Sequence, residues 1–398
     1  MLPACRRALL LALPCVAAVL LAGCRPAYER RPWTLAYQYD DSGQRLPTIL
    51  PAGGPIFYRA LQPEGAAPSP TGTHLLMATQ EGELWLYDAL KGGASLRLAE
   101  QGVTAQFWPD VSPWSPDGKA VVYVQGGDLI YQRLGGEHRA LTTTGDVFTA
   151  AISPDGMQVA YGRRDSKDQD QGLWRIPVIG GEPTELVPPT HDIFHACCPH
   201  WSPDGKWIAF LQAFEGGALG VVSADGADLR PGIEAAWEPL QWLPDSSAVL
   251  FTRIMYGEPG DGVHSYGVGA NKTSLLTASD RMATYALSPD GAQALVASWR
   301  EASDGKVADP KVEIVSVATG AIEGQPVKLP GAARHISWAP DGKQVALLVD
   351  DASGKGTVLY SRDGLSSLQP QPGGASGLIG WVRQWQPKRP WWRFWAKG

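Results

Sequence analysis

Five imidazole or thiol side chains fall within ten residues of this 398-residue chain: His191, His195, Cys197, Cys198 and His200. Imidazoles and thiolates are the ligands a zinc site recruits. The chain has only 7 His and 5 Cys in all, so the clustering does not follow from abundance. The spacing resists a simple site, however. On an extended strand alternate residues share a face, which sets His195 beside Cys197 and Cys198 beside His200 on the opposite side. Four ligands converge only through a bulge or a kink at Pro199. The same residues also suit a vicinal disulfide or small side chains packing an interior, and their spacing matches no established metal signature. The expectation is a ligand cluster with no resident metal, no cofactor and no catalytic residue.

Three further polar positions, Tyr285, Arg334 and His335, stand shortly before a recurring turn and complete the candidates. An acidic stretch, Asp165 to Gly172, alternates carboxylates as calcium loops do, but it lacks the distal bidentate Glu and reads as a hairpin tip. The segment 387–398 interleaves aromatic with basic residues and has no acidic one. Trp391, Trp392, Arg393 and Trp395 suit a membrane interface, where rings sit at headgroup level and cations meet anionic lipid. The same Trp residues equally suit docking onto the body of the protein.

The elements that must position these residues are announced by a repeat. Ser-Pro-Asp-Gly is intact at Ser115, Ser153, Ser202 and Ser288, and degenerate copies start at Ser69, Leu243 and Ala339. The intervals run from 38 to 51 residues. Proline pre-sets φ for the second position of a type I turn, and glycine returns the chain at positive φ. Strand-like runs follow, such as Ala120 to Val124, Trp207 to Leu211 and Val345 to Val349. A Trp precedes four of the turns, at Trp114, Trp201, Trp242 and Trp338. Second hairpins recur downstream, so each repeat reads as four short strands. β-type repeats of this period predict an all-β, seven-bladed β-propeller of four-stranded blades. The segments around Trp33 to Leu50 and Leu378 to Trp385 are expected to meet and close the ring. They complete one of seven blades or build an incomplete eighth, and Trp33 to Tyr39 with the turn at Asp40 to Gly43 suggests a hairpin.

These turns resemble the TolB-like, or PD40, family of β-propeller repeats over roughly residues 55 to 370. The family contains envelope scaffolds, propellers attached to peptidases, and oligogalacturonate lyases. The resemblance implies first strands that line a central channel. In the lyases it implies channel histidines that bind a metal and a polar residue that removes a proton; the candidate channel positions here are His195, His200, Arg334, His335 and Tyr285, each shortly before its turn. Two departures count. TolB carries a separate domain before its propeller, whereas only about 30 residues are expected between the processed N-terminus and the first repeat region here. Gly374-Ala375-Ser376-Gly377-Leu378 also lacks the last glycine of a hydrolase elbow.

At the N-terminus Arg6 and Arg7 precede an apolar run from Ala8 to Leu20, too short to span a bilayer and built like a secretory signal. Leu21-Ala22-Gly23-Cys24 resembles a bacterial lipobox, which implies cleavage before Cys24 and lipidation of its thiol. Arg25 in place of Asp implies outer-membrane sorting in a Gram-negative cell. The expected organisation is therefore a signal at 1–23, a linker and closing segment at 24–54, the propeller at 55–386 and the cationic tail at 387–398. Only Cys197 and Cys198 then remain as thiols, so this is no disulfide scaffold. Without Arg6 and Arg7 the formal net charge is −8, a poor match to nucleic acid.

Two functions follow. The first is a lipid-anchored envelope scaffold, facing the periplasm and binding envelope proteins or cell-wall and polysaccharide components. The second is a polysaccharide-active enzyme, similar to oligogalacturonate lyase, with its site in the channel.

Overall fold

Each Ser-Pro-Asp-Gly copy turns the chain between the first and second strands of one sheet, and everything larger is built on that corner. The computed structural model of the protein describes residues 33–39, 56–59, 63–79, 81–90, 95–104, 112–167, 169–189, 195–213, 217–253, 260–279, 282–301, 306–351, 355–371 and 375–383. Cys24, His191 and the tail residues Trp391, Trp392, Arg393 and Trp395 lie outside the described residues.

The corner at Ser288 shows the device. The Gly291 N–H donates to the Ser288 carbonyl at 2.8 Å, with Gly291 at φ 72°. Ser288 Oγ donates to Asp290 Oδ1 at 2.6 Å and accepts the Gln293 N–H at 3.0 Å, while Asp290 Oδ1 also accepts the Ala292 N–H. The corners at Ser115 and Ser202 repeat these bonds. The Ser115 and Ser288 hydroxyls hold the Asp117 and Asp290 carboxyls below the usual carboxylate range, and the following backbone N–H groups add to the effect. At the degenerate copy Ser246 takes the place of glycine at φ 63°. Its hydroxyl accepts the Asp204 N–H of the preceding corner at 3.0 Å.

Among the described residues seven four-stranded antiparallel meanders result, over 63–99, 103–140, 147–187, 195–230, 237–278, 282–328 and 332–370, here called the first to seventh sheets. Successive sheets touch chiefly through their first strands, so these strands face the common axis. The second strands are buried almost throughout, as at Val345–Asp350.

Trp residues before the corners bond the sheets laterally. The indole Nε1–H of Trp114 donates to the Ala67 carbonyl, that of Trp201 to Ala151, that of Trp242 to His200 and that of Trp338 to Ala286, at 2.9–3.2 Å. Each acceptor lies one repeat earlier in the chain.

Both ends of the described chain share an eighth, three-stranded sheet. Trp33–Tyr39 is its central strand, antiparallel to Ala375–Arg383 and parallel to Ile56–Arg59. The expected meeting of the two ends is observed, and the pair makes a sheet of its own. The hairpin turn expected at Asp40 to Gly43 lies outside the described residues, and the two edges of Trp33–Tyr39 are taken by Ala375–Arg383 and, in parallel, by Ile56–Arg59. Trp381 Nε1 donates to Ser337 Oγ at 2.9 Å, and the Arg383 N–H donates to the Gly72 carbonyl at 2.7 Å. These bonds join the closing sheet to the seventh sheet and to the first corner.

Candidate functional site

The His–Cys cluster occupies His195–Trp201, the first strand of the fourth sheet. Its partner strand runs in register to Cys197, opposite Leu211, and resumes at His200, opposite Ala209. The break is a β-bulge in which Cys198 takes φ 57°, a conformation uncommon for a side chain of this kind. The face alternation expected from the sequence therefore fails here. Cys197 and Cys198 are both buried in one apolar cluster with Phe148, Leu219, Leu240 and Phe251. Their two sulfur atoms lie in direct contact.

His195 and His200 sit at opposite ends of this strand, roughly 15 Å apart along the extended chain. His200 is buried, and its Nε2 has no hydrogen-bond partner among the described residues. Burial lowers its pKa from 6.5 to about 4, so the ring is neutral at neutral pH. Arg334 and His335 are elsewhere, on Ala332–Trp338 of the seventh sheet. Arg334 Nε pairs with Asp350 Oδ2 at 2.7 Å. Burial, and secondly the Arg334 charge, holds the His335 imidazole below its usual pKa against the opposing pull of Asp350. Tyr285 donates its hydroxyl to the Pro239 carbonyl at 2.8 Å and so joins the sixth sheet to the fifth. No group of three or more His, Cys, Asp or Glu is arranged to hold a metal ion among the described residues.

The acidic stretch is likewise occupied by structure. Asp165 Oδ1 accepts the Lys167 and Gln169 N–H groups. The buried Asp170 carboxylate accepts from Gly172 and from Ala196 of the His–Cys strand.

What the structure gathers instead is a cavity of about 660 Å³ at the corner end of the first strands. Its rim is formed by Pro154, Pro203, Pro244 and Pro289, the prolines of four consecutive corners. Its walls include Trp201, Trp242, Leu240, Ile152 and Leu287, with His200, Gln241, Ser112 and Ser288 as polar groups. Among the described residues no carboxylate, ammonium or guanidinium lines it. Of the sequence candidates only His200 borders this space. The turn prolines and Trp residues were visible in the repeat, but their convergence depends on bringing four repeats to one axis. Gln241 carried no signal: its Oε1 accepts the Leu287 N–H at 2.7 Å, a bond across two sheets.

No protein-family model matches the chain. A stretch of 128 residues is 31% identical to an uncharacterised peptidase, YuxL, of Bacillus subtilis (strain 168), covering 29% of this chain and 19% of that protein. The chain thus spans about a fifth of the length of that relative. Among solved structures, an oligogalacturonate lyase in complex with manganese aligns over 76% of this chain and 89% of its own, at 19% identity and a TM-score of 0.55. A eukaryotic initiation factor aligns over 90% and 100%, at 12% identity and a TM-score of 0.57. Proteins of unrelated activity match about equally well, so these likenesses establish the fold and no activity. The chain is an all-β protein with the architecture of a β-propeller.

Proposed function

We propose that this chain is a lipid-anchored envelope protein whose propeller mouth holds a partner, a protein segment or an envelope polymer, without chemistry upon it. The observation that carries this reading is the composition of the cavity. Proline, Trp and aliphatic walls with a few fixed polar groups make a surface suited to binding. Proton-transfer catalysis calls for groups tuned near the working pH, and His200, the one titratable side chain among the cavity's described lining residues, is held far from it. The signal-like N-terminus and the lipobox resemblance at Cys24 support export and anchoring, with Arg25 supporting the outer membrane.

A photo-crosslinking residue in place of Pro203 or Pro289, followed by mass spectrometry from intact cells, tests the mouth. A recurrent envelope partner captured there, and not from the outer strand Ile322–Lys328, is the expected result. Intact-mass analysis tests the anchor: a wild-type N-terminus other than lipidated Cys24 ends that part of the reading.

The lyase-like alternative is favoured by the fold likeness over 76% of the chain together with a histidine at the mouth. Release of unsaturated product from polygalacturonate in the presence of manganese, lost in His200→Ala, would replace the scaffold reading with this one.

A further inference from the structure

The mouth and the last described residue of the chain, Arg383, are at the same end of the molecule. The last described strand, Ala375–Arg383, runs alongside Trp33–Tyr39, and its final residue donates to Gly72 of the first corner. The last described strand therefore ends on the face that carries every corner, where the cavity opens. Fifteen residues follow Arg383, and fully extended they reach roughly 50 Å, enough to cross the mouth.

The chemistries also match. Beside the four rim prolines stand Asp155, Asp204, Asp245 and Asp290, the third residues of the same corners, all exposed. Lys206 lies 3.5 Å from Asp204 and offsets that carboxylate, whereas Met157, Ser247 and Ala292 occupy its place at the other three corners. An apolar well of proline and indole is thus bordered by net negative charge. Residues 387–398 present Trp391, Trp392, Phe394 and Trp395 among Lys388, Arg389, Arg393 and Lys397. Aromatic rings stack well on proline and indole faces, and the cations meet the carboxylates.

We propose that residues 387–398 dock in cis into this mouth, so that the protein carries its own tethered ligand and any outside partner must displace it. A linked segment binds at high effective concentration, which makes modest intrinsic affinity sufficient. The proposal rests on the cavity as a docking site and is independent of the lipid anchor.

The test uses the soluble protein beginning at Arg25, full length and ending at Gln386, with a fluorescent peptide of residues 387–398 as probe. The expected result is peptide binding to the shortened protein, weakened at least tenfold in the full-length one. Pro244→Lys with Pro289→Lys in the shortened protein should abolish binding, with circular dichroism confirming the fold. Equal binding by the two lengths, no binding by either, or binding unaffected by the rim substitutions overturns the proposal. So does tail-dependent cosedimentation of the full-length protein with anionic vesicles while the peptide ignores the shortened form, which assigns the tail to the membrane. If the rim captures a partner in cells but not this peptide, the inference fails and the scaffold reading stands.

Discussion

The joint between the fourth and fifth sheets and the joint between the fifth and sixth solve one problem with different atoms. In the former, Trp242 fills the interface and donates its indole N–H to the His200 carbonyl. In the latter, Leu287 stands where the Trp would be, and the polar link is made by Tyr285 to Pro239 and by the Leu287 N–H to Gln241. In both cases the later sheet donates and the earlier one accepts. What must be satisfied is a set of first-strand acceptors exposed along the axis; which donor meets them is free to vary. An indole merges apolar area and the hydrogen bond in one residue. The substitute divides them among three.

The largest expected effect breaks the indole joint. Trp242→Ala removes a buried ring and leaves the His200 carbonyl without its donor, and should cost about 3–5 kcal/mol. Denaturant midpoints would measure it, and a loss below about 1 kcal/mol would show that the joint is held elsewhere. Tyr285→Ala should cost less than Trp242→Ala, because Leu287 and Gln241 keep their bond.

Acid should sharpen the comparison next. The folded-state pKa of His200 is depressed to about 4 by burial, below the ordinary 6.5. The unfolded chain then takes up its proton first as pH falls. Stability is complete above pH 6.5 and is lost as pH falls from there to about 4, by up to about 3 kcal/mol. Thermal midpoints followed from pH 7.5 to 4 should show this slope, and His200→Gln should flatten it. An unchanged slope in that variant would assign the titration to another group.

Smaller again is Tyr285→Phe, which removes one hydroxyl donor from the substitute joint and should cost about 1 kcal/mol. A cost as large as that of Trp242→Ala would reverse the ranking of the joints. Below pH about 3.8 the corner carboxylates Asp117 and Asp290 enter. Their folded-state pKa values lie below the ordinary one, so their contribution is present above 3.8 and falls away as pH drops through the folded values. Ser288→Ala should reduce that second acid slope without touching the first, which thermal midpoints between pH 4 and 2 would resolve.

The corners were legible because their causes are local. Proline, the Ser and Asp side chains and glycine act within six residues, so a tetrapeptide is enough to place the boundary between strands. The same device recurs at Ser223, whose hydroxyl donates to Asp225 and accepts from Asp228, at an outer hairpin. It was not singled out because that copy lacks the proline and falls off the repeat. The bulge at Cys198 was foreseen only as the condition for convergence. Its positive φ depends on how the fourth sheet packs on the fifth, and nothing in Cys197-Cys198-Pro199 alone dictates it. Gln241 and the cavity walls were hidden for a related reason. They meet residues some 42–50 positions away, and their neighbours are chosen by the curvature of the ring.

The strand that completes the ring is among the last to be made. Trp33 and Arg383 are paired across about 350 residues, and the Arg383 bond to Gly72 of the first corner waits for the final strand. Closing so long a loop costs on the order of 5 kcal/mol of chain entropy. Until then Trp33, Leu35 and the open flank of the first sheet lack their partners, and a chain emerging from its N-terminus holds an unpaired edge throughout its synthesis. Maturation is thus timed by the final strand. A chain interrupted before Gly377 would hold most of its corners and sheets yet remain an open, adhesive arc.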